Sequence, residues 1–204
     1  MRNFDDRRAA YFDQLSVTWD ATMVAPAERH VGRLLSVLAI GPEDVVLDVG
    51  SGTGFLLRYL LEQQPAQVIA CDLSTKMLEV AAAKYKGQET LRFLRADAID
   101  LPFDDASVDV IVCNGVYPHF ADRQGTLLEL SRVARPGARI AVSHFRSRGF
   151  INAIHGSSRD ALIRQDLLEP AEQVAQHLLE VGFVVSEVCD TDDFYLVGGK
   201  RADG

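Results

Sequence analysis

A chain of 204 residues has room for one domain with a core and little besides. Its 48% hydrophobic and 25% charged residues are the proportions of a soluble globular protein. A formal net charge of −8 argues against a nucleic-acid backbone as a main partner, and against an anionic membrane surface, since both call for a basic face.

The opening stretch MRNFDDRRAAYFDQL lacks the apolar centre of a signal peptide, and no later run approaches the ~18 apolar residues of a membrane span. Cys71, Cys113 and Cys189 are far apart and set in apolar runs, as reduced core thiols are. A cytoplasmic protein is expected. Residues 1–40 read as one or two helices with Tyr11, Phe12, Leu15 and Trp19 on a shared face, suited to lie over the sheet edge as a lid. VVLDV at 45–49 predicts a strand, and apolar residues at helical spacing follow from Gly54 to Glu62. QVIACD at 67–72 predicts a second strand, followed by a helix capped by Ser74 and running to about Tyr85. LRFLRA at 91–96 and VDVIVCN at 108–114 are the third and fourth strands, the latter buried on both faces. A helix over 122–134 is expected to stop at RPGA, before a fifth strand at 138–145.

From Arg146 to Pro170 the pattern is polar and irregular, and a helix from about Ala171 to Val181 then ends at Gly182. FVVSEVCD at 183–190 and FYLVGGK at 194–200 are three residues apart and predict an antiparallel hairpin. Five βα alternations and this hairpin predict an α/β, Rossmann-like, doubly wound sheet of seven mostly parallel strands with a reversed last strand. The expected organisation is a single domain over 1–204. It comprises an N-terminal helical lid (1–40), a cofactor-binding core (41–145), a substrate-side insertion (146–170), and a C-terminal helix and hairpin (171–204).

Gly50, Gly52 and Gly54 follow a strand and open a helix, where nucleotide loops lie. The dinucleotide fingerprint needs its third glycine at position 55, which is Phe55, and no lysine follows to hold a triphosphate. Asp48, at the strand's mouth, repels phosphate and suits a ligand with positive charge, such as the ammonium and sulfonium of S-adenosylmethionine. Asp72 ends the second strand where a ribose would lie, and Asp97 follows the third, in position to accept from an adenine amino group. Leu73 and Ala98 offer apolar contact to the adenine faces. Taken singly, Asp72 is equally suited to capping the next helix and Asp97 to a solvated loop; three acids ending three successive strands favour a nucleoside.

The segments VLDVGSGTGFL, CDLS, ADAIDLPFDDASVDVIVCNGV and LSRVARPGARIAV resemble the successive motifs of class I S-adenosylmethionine-dependent methyltransferases. The resemblance spans residues 40 to 145 and is greatest to the subgroup that includes the ubiquinone and menaquinone biosynthesis methyltransferases. YFDQLSVTWD is similar to that subgroup's lead-in helices. The resemblance implies that Asp48, Gly50 and Gly52 surround the methionine moiety and that Asp72 binds the ribose. It further implies that Leu73, Asp97 and Ala98 surround the adenine, that Asn114 lines the cofactor with its backbone, and that Tyr11 and Trp19 close over it.

Methyl transfer leaves S-adenosylhomocysteine and consists largely of positioning the acceptor and excluding water. A small-molecule acceptor is expected after the fourth and fifth strands, where Tyr117, His119, Phe120, His144 and His155 fall. His119 or His155 is a candidate general base, or a metal ligand with His144, although each taken singly reads more readily as a wall or loop anchor. Arg146, Arg148 and Arg159 suit either an acidic substrate or solvent, and His30 and His177 are expected on helix surfaces. The alternative to an enzyme is a regulatory module that binds the cofactor without methyl transfer. A dehydrogenase is disfavoured by Phe55 and the reversed strand, and the sequence carries no signal of oligomeric state.

Overall fold

The run VVLDV forms the central strand β1 (Val45–Val49), and it tolerates burial on both faces because it is almost wholly apolar. The computed structural model describes residues 5–203. Helices α1 (Asp6–Leu15), α2 (Trp19–Thr22) and α3 (Glu28–Leu38) precede β1. After it come α4 (Leu57–Leu61), β2 (Gln67–Asp72), α5 (Thr75–Lys84), β3 (Leu91–Arg95) and β4 (Val108–Asn114). The chain closes with α6 (Arg123–Val133), β5 (Ala134–His144), α7 (Arg148–Gly156), α8 (Ala171–Glu180), β6 (Phe183–Asp190) and β7 (Tyr195–Arg201).

The seven strands lie in the order β3-β2-β1-β4-β5-β7-β6. β1 to β5 are parallel, and β7 runs antiparallel between β5 and β6. Alternation along each strand divides the core in two. Leu47, Val49, Ile69, Cys71, Ile111 and Cys113 face one side with α6 and α8. Val46, Val68, Ala70, Val110 and Val112 face the other with Leu34 and Leu38 of α3 and Leu57 and Leu60 of α4. The strand order reverses between β1 and β4, and the carboxyl ends diverging there open the crevice where ligands of such sheets bind. No helix among the described residues is long and apolar enough to cross a membrane.

Several local expectations are revised. The β3–β4 connection over 96–107 contains no helix, so one of the five βα alternations is a plain crossover. The RPGA stretch does not separate a helix from a strand. Ala134 already pairs with Val108, and pairing resumes at Arg139 opposite Val110, so Pro136 and Gly137 form an excursion inside β5. Proline lacks the ladder donor and Gly137 takes φ +77°, which confines both to such an irregularity. The N-terminal region has three helices rather than one or two. The stretch expected to be irregular contains α7, whose cap Ser147 accepts from the Phe150 amide at 3.2 Å. Gly149 and Gly156 hide the helical pattern of this segment. His30 is buried rather than at a surface, its ring stacked on Phe194 at 4.5 Å.

Candidate functional site

A cavity of about 650 Å³ opens at the carboxyl ends of β1, β2 and β4, within the roughly 300–1,000 Å³ of small-molecule sites. Its floor is the turn from β1 into α4. The backbone amides of this turn are already occupied: Gly50 and Ser51 donate to the Cys71 carbonyl at 2.8 and 3.0 Å, and Gly54 to Ser51 at 2.9 Å. The Gly52 amide donates to Asp72 Oδ2 at 2.8 Å. A phosphate cradle requires free amides aimed at the anion, and this loop has spent these four on the protein. Gly50 has φ +67°, and a β-carbon there would lie 2.3 Å from Val116 Cγ2. Only glycine fits.

Asp48, Gly50 and Gly52 line the cavity together with Asp72, Leu73, Asp97, Ala98 and Asn114. Asp48 is 1% exposed, and its Oδ2 is buried with no hydrogen-bond partner among the described residues. Burial, with the Asp72 charge adding to it, pushes the Asp48 carboxyl up to about 8. Asp72 accepts from Gly52 on one oxygen and from the Ser74 amide on the other, both at 2.8 Å. It thus ties the loop to the start of α5 while facing the cavity, so its two sequence readings describe one geometry. Burial raises its carboxyl to about 6 against the pull of these amides. Asp97 accepts from the Ile99 amide at 3.2 Å and from the Asp5 amide, just before α1, at 3.3 Å. The Asn114 side chain turns back to accept from Ser143 Oγ at 3.0 Å.

The N-terminal helices lie against this floor. Asp13 of α1 accepts from Ser74 Oγ at 2.5 Å and from the Lys76 amide at 3.0 Å. Asp20 of α2 accepts from Thr53 Oγ1 at 2.6 Å and pairs with Lys84 at 2.5 Å. Trp19 lines the cavity; Tyr11 does not, and its ring stands edge-on to Phe12, which does. Phe12 in turn packs edge-on against Trp19 at 5.9 Å between ring centroids.

Of the acceptor-side residues only His119, with its neighbour Phe120, reaches the cavity wall. Tyr117 points away from it: fully buried, its hydroxyl donates to Glu169 at 3.0 Å and lies 3.0 Å from His177 Nδ1. This fixes the turn at 117–119 to the segment before α8, and it draws the expected surface residue His177 into an internal bond. His144 is buried edge-on to Tyr195, with its Nε2 unpartnered among the described residues. Burial, helped by His119 and His155, pushes it down to about 3. His155 lies behind His119, its ring 4.8 Å away and its Nδ1 hydrogen-bonded to the Asp166 carbonyl. No group of three metal-ligand side chains with metal-holding geometry occurs among the described residues. Arg146 sits over the Phe150 ring, and Arg148 bonds Asp190 at 2.7 Å, so neither points at the cavity.

Sequence reasoning passes over Arg8, which lines the cavity, and Asp166, which holds it from behind. Arg8 of α1 donates to both oxygens of Asp166, at 3.2 and 2.6 Å, and to Asp5 at 2.6 Å. Asp166 Oδ2 also meets His119 Nδ1 at 2.8 Å. Arg8 and Asp166 are 158 positions apart, with no shared motif to announce them.

Known proteins resemble this chain in sequence and in fold. Residues 47–142 match the family described as "Methyltransferase domain". The demethylmenaquinone methyltransferase of Clavibacter sepedonicus is 33% identical over 141 residues, 67% of this chain and 57% of that one. The O-methyltransferase resE of Aspergillus sclerotiorum is 31% identical over 185 residues, 85% of this chain and 67% of that one. The chain spans about half the length of the first curated relatives it matches, from 46% to 57%. A crystal structure of a SAM-dependent methyltransferase from Aquifex aeolicus superposes with a TM-score of 0.70 at 21% identity, covering 98% of this chain and 100% of that one; it shares the fold.

Proposed function

The chain belongs to the class I S-adenosylmethionine-dependent methyltransferases, and from that membership we propose that it transfers a methyl group to a small-molecule acceptor in the cavity described above. The observation that carries the assignment is the buried, unpartnered Oδ2 of Asp48 beside the glycine turn. An anion there needs a cationic donor, and the α-ammonium of the cofactor is one. Asp72 then takes the ribose hydroxyls, one lone pair on each oxygen being left over from its two amide bonds. Asp97 faces the adenine amino group between Leu73 and Ala98. Gly50, Gly52 and the Asn114 backbone run beside the methionine moiety, and Trp19, with Tyr11 behind Phe12, closes over it.

Bound there, the sulfonium supplies an already activated methyl carbon, so the protein's part is alignment and the exclusion of water. A small acceptor is supported by the cavity's size and by the helices α1 and α2 that roof it. The relatives named for quinone and O-methyl transfer are consistent with that class. Calorimetry tests the reading: S-adenosylmethionine and S-adenosylhomocysteine bind one site per chain, and NAD does not. Tighter binding of NAD would overturn it, and binding without turnover on any metabolite extract would leave a cofactor-binding module.

A further inference from the structure

The Arg8–Asp166–His119 chain is not explained by cofactor binding. Arg8 is 7% exposed and Asp166 3%, and the pair joins α1 to the segment before α8. Asp166 carries three charge-assisted contacts at once, two from the Arg8 fork and one with His119 Nδ1. Burial alone would raise this carboxyl, but the hydrogen bonds from His119 and Arg8 outweigh it and hold it below its ordinary value. An ionised Asp166 fixes the tautomer: Nδ1 of His119 must carry the proton it donates. The lone pair is then on Nε2, which makes no protein hydrogen bond among the described residues, on a side chain that lines the cavity.

A carboxylate beside a histidine favours the imidazolium. Here burial of the ring opposes that, with His155 and Arg8 adding to it. The groups facing His119 are Asp166 from the segment before α8, Arg8 from α1 with Asp5 upon it, His155 from α7 and His144 from β5. Burial is the largest influence and lowers His119; Asp166 raises it, His155 and Arg8 lower it further, and the ring stays below its ordinary value.

We propose that Asp166 and Arg8 together present His119 to the cavity as an oriented, unprotonated base, and therefore that the methyl acceptor gives up a proton as it is methylated, as a phenol or enol oxygen does. This rests on the methyltransferase reading above. The balance is complete without another reactant. The acceptor O–CH3 bond forms as the S–CH3 bond breaks, its electron pair stays on sulfur, and the O–H proton passes to His119 Nε2. Asp166 stabilises the resulting imidazolium until the proton leaves to water. His119 is the catalytic residue; Asp166 and Arg8 are positioning residues that act through it. The apolar walls beside it, Phe12 and Phe120, suit an aromatic acceptor.

The test is nitrogen NMR of the His119 ring in the full chain. At neutral pH the wild type shows a proton on Nδ1 and none on Nε2, with a titration midpoint below the ordinary 6.5. Arg8→Met removes a positive charge beside the ring and raises the midpoint. Arg8→Lys keeps the charge and holds it below 6.5. With S-adenosylhomocysteine bound, adding 1-naphthol shifts the Nε2 resonance, whereas 1-methoxynaphthalene, which has no hydroxyl proton to give, does not. A proton on Nε2 in the wild type, a midpoint unmoved by Arg8→Met, or an Nε2 indifferent to naphthol would overturn the proposal, and the wild-type tautomer decides it if neither variant folds. Failure of the wild type to bind S-adenosylhomocysteine would instead remove the parent reading, since the ring is titrated in the free protein.

Discussion

Replacing Asp48 by asparagine should stabilise the free protein by an amount that depends on pH. The carboxyl moves from 3.8 to about 8 on folding, pushed up by burial and by Asp72. A raised carboxyl contributes its stability below 3.8 and loses it progressively as pH climbs to 8, because the folded state must hold a proton that the unfolded chain has released. The slope is about 1.4 kcal/mol per pH unit, so the wild type forfeits about 2–3 kcal/mol between pH 5 and pH 7 from this group. Asparagine has nearly the same shape and does not titrate. For a chain of this size each kcal/mol moves the melting temperature by about 2–4 °C, so the advantage of Asp48→Asn should widen by roughly 5–10 °C over that interval. Calorimetric melting of both proteins without cofactor, at pH 5, 6 and 7, measures it. The same variant should bind S-adenosylhomocysteine about 10- to 100-fold more weakly, the loss of one charge-assisted hydrogen bond. A gap that stays constant with pH, or a variant less stable throughout, would refute the assignment of an unpartnered buried carboxyl.

Three further substitutions separate site from scaffold. Asp72→Ala removes the acceptor of the Gly52 and Ser74 amides together with the proposed ribose contact, so it should abolish the thermal shift given by S-adenosylhomocysteine. Gly50→Ala forces a side chain onto a left-handed backbone and into Val116, and should cost about 2–4 kcal/mol in denaturant unfolding, with cofactor binding lost. Tyr117→Phe deletes a hydroxyl held by Glu169 and His177, so about 1–2 kcal/mol of stability should go while cofactor affinity stays within twofold. A large loss of affinity in that last variant would return Tyr117 to the cavity wall.

Legibility in the sequence followed the range of the interactions. Strands β1, β2 and β4 have the predicted bounds because each is a short, mostly apolar run flanked by polar or turn residues. The loop could be read as unfit for phosphate from Asp48 and Phe55, and the occupied amides of Gly50, Ser51 and Gly52 supply the structural reason. Helix α7 was hidden by its own glycines, although Ser147 was a usable cap signal. The histidines illustrate a different limit. His119, His144 and His155 do converge, yet chain position near a strand end does not say which way a ring turns, and only His119 reaches the cavity. Arg8 and Asp166 were invisible for a simpler reason: a bidentate pair across 158 positions leaves no periodicity, spacing or motif. Arg8 in DDRRAA reads as surface until the fold brings the acid to it.

The central claim is that this cavity holds S-adenosylmethionine with its ammonium on Asp48, and a crystal structure grown with S-adenosylhomocysteine tests it most directly. The account predicts the ligand's ammonium within hydrogen-bond distance of Asp48 Oδ2, both ribose hydroxyls on Asp72 and the adenine between Leu73 and Ala98. Ligand density elsewhere, or an ammonium turned away from Asp48, would contradict it.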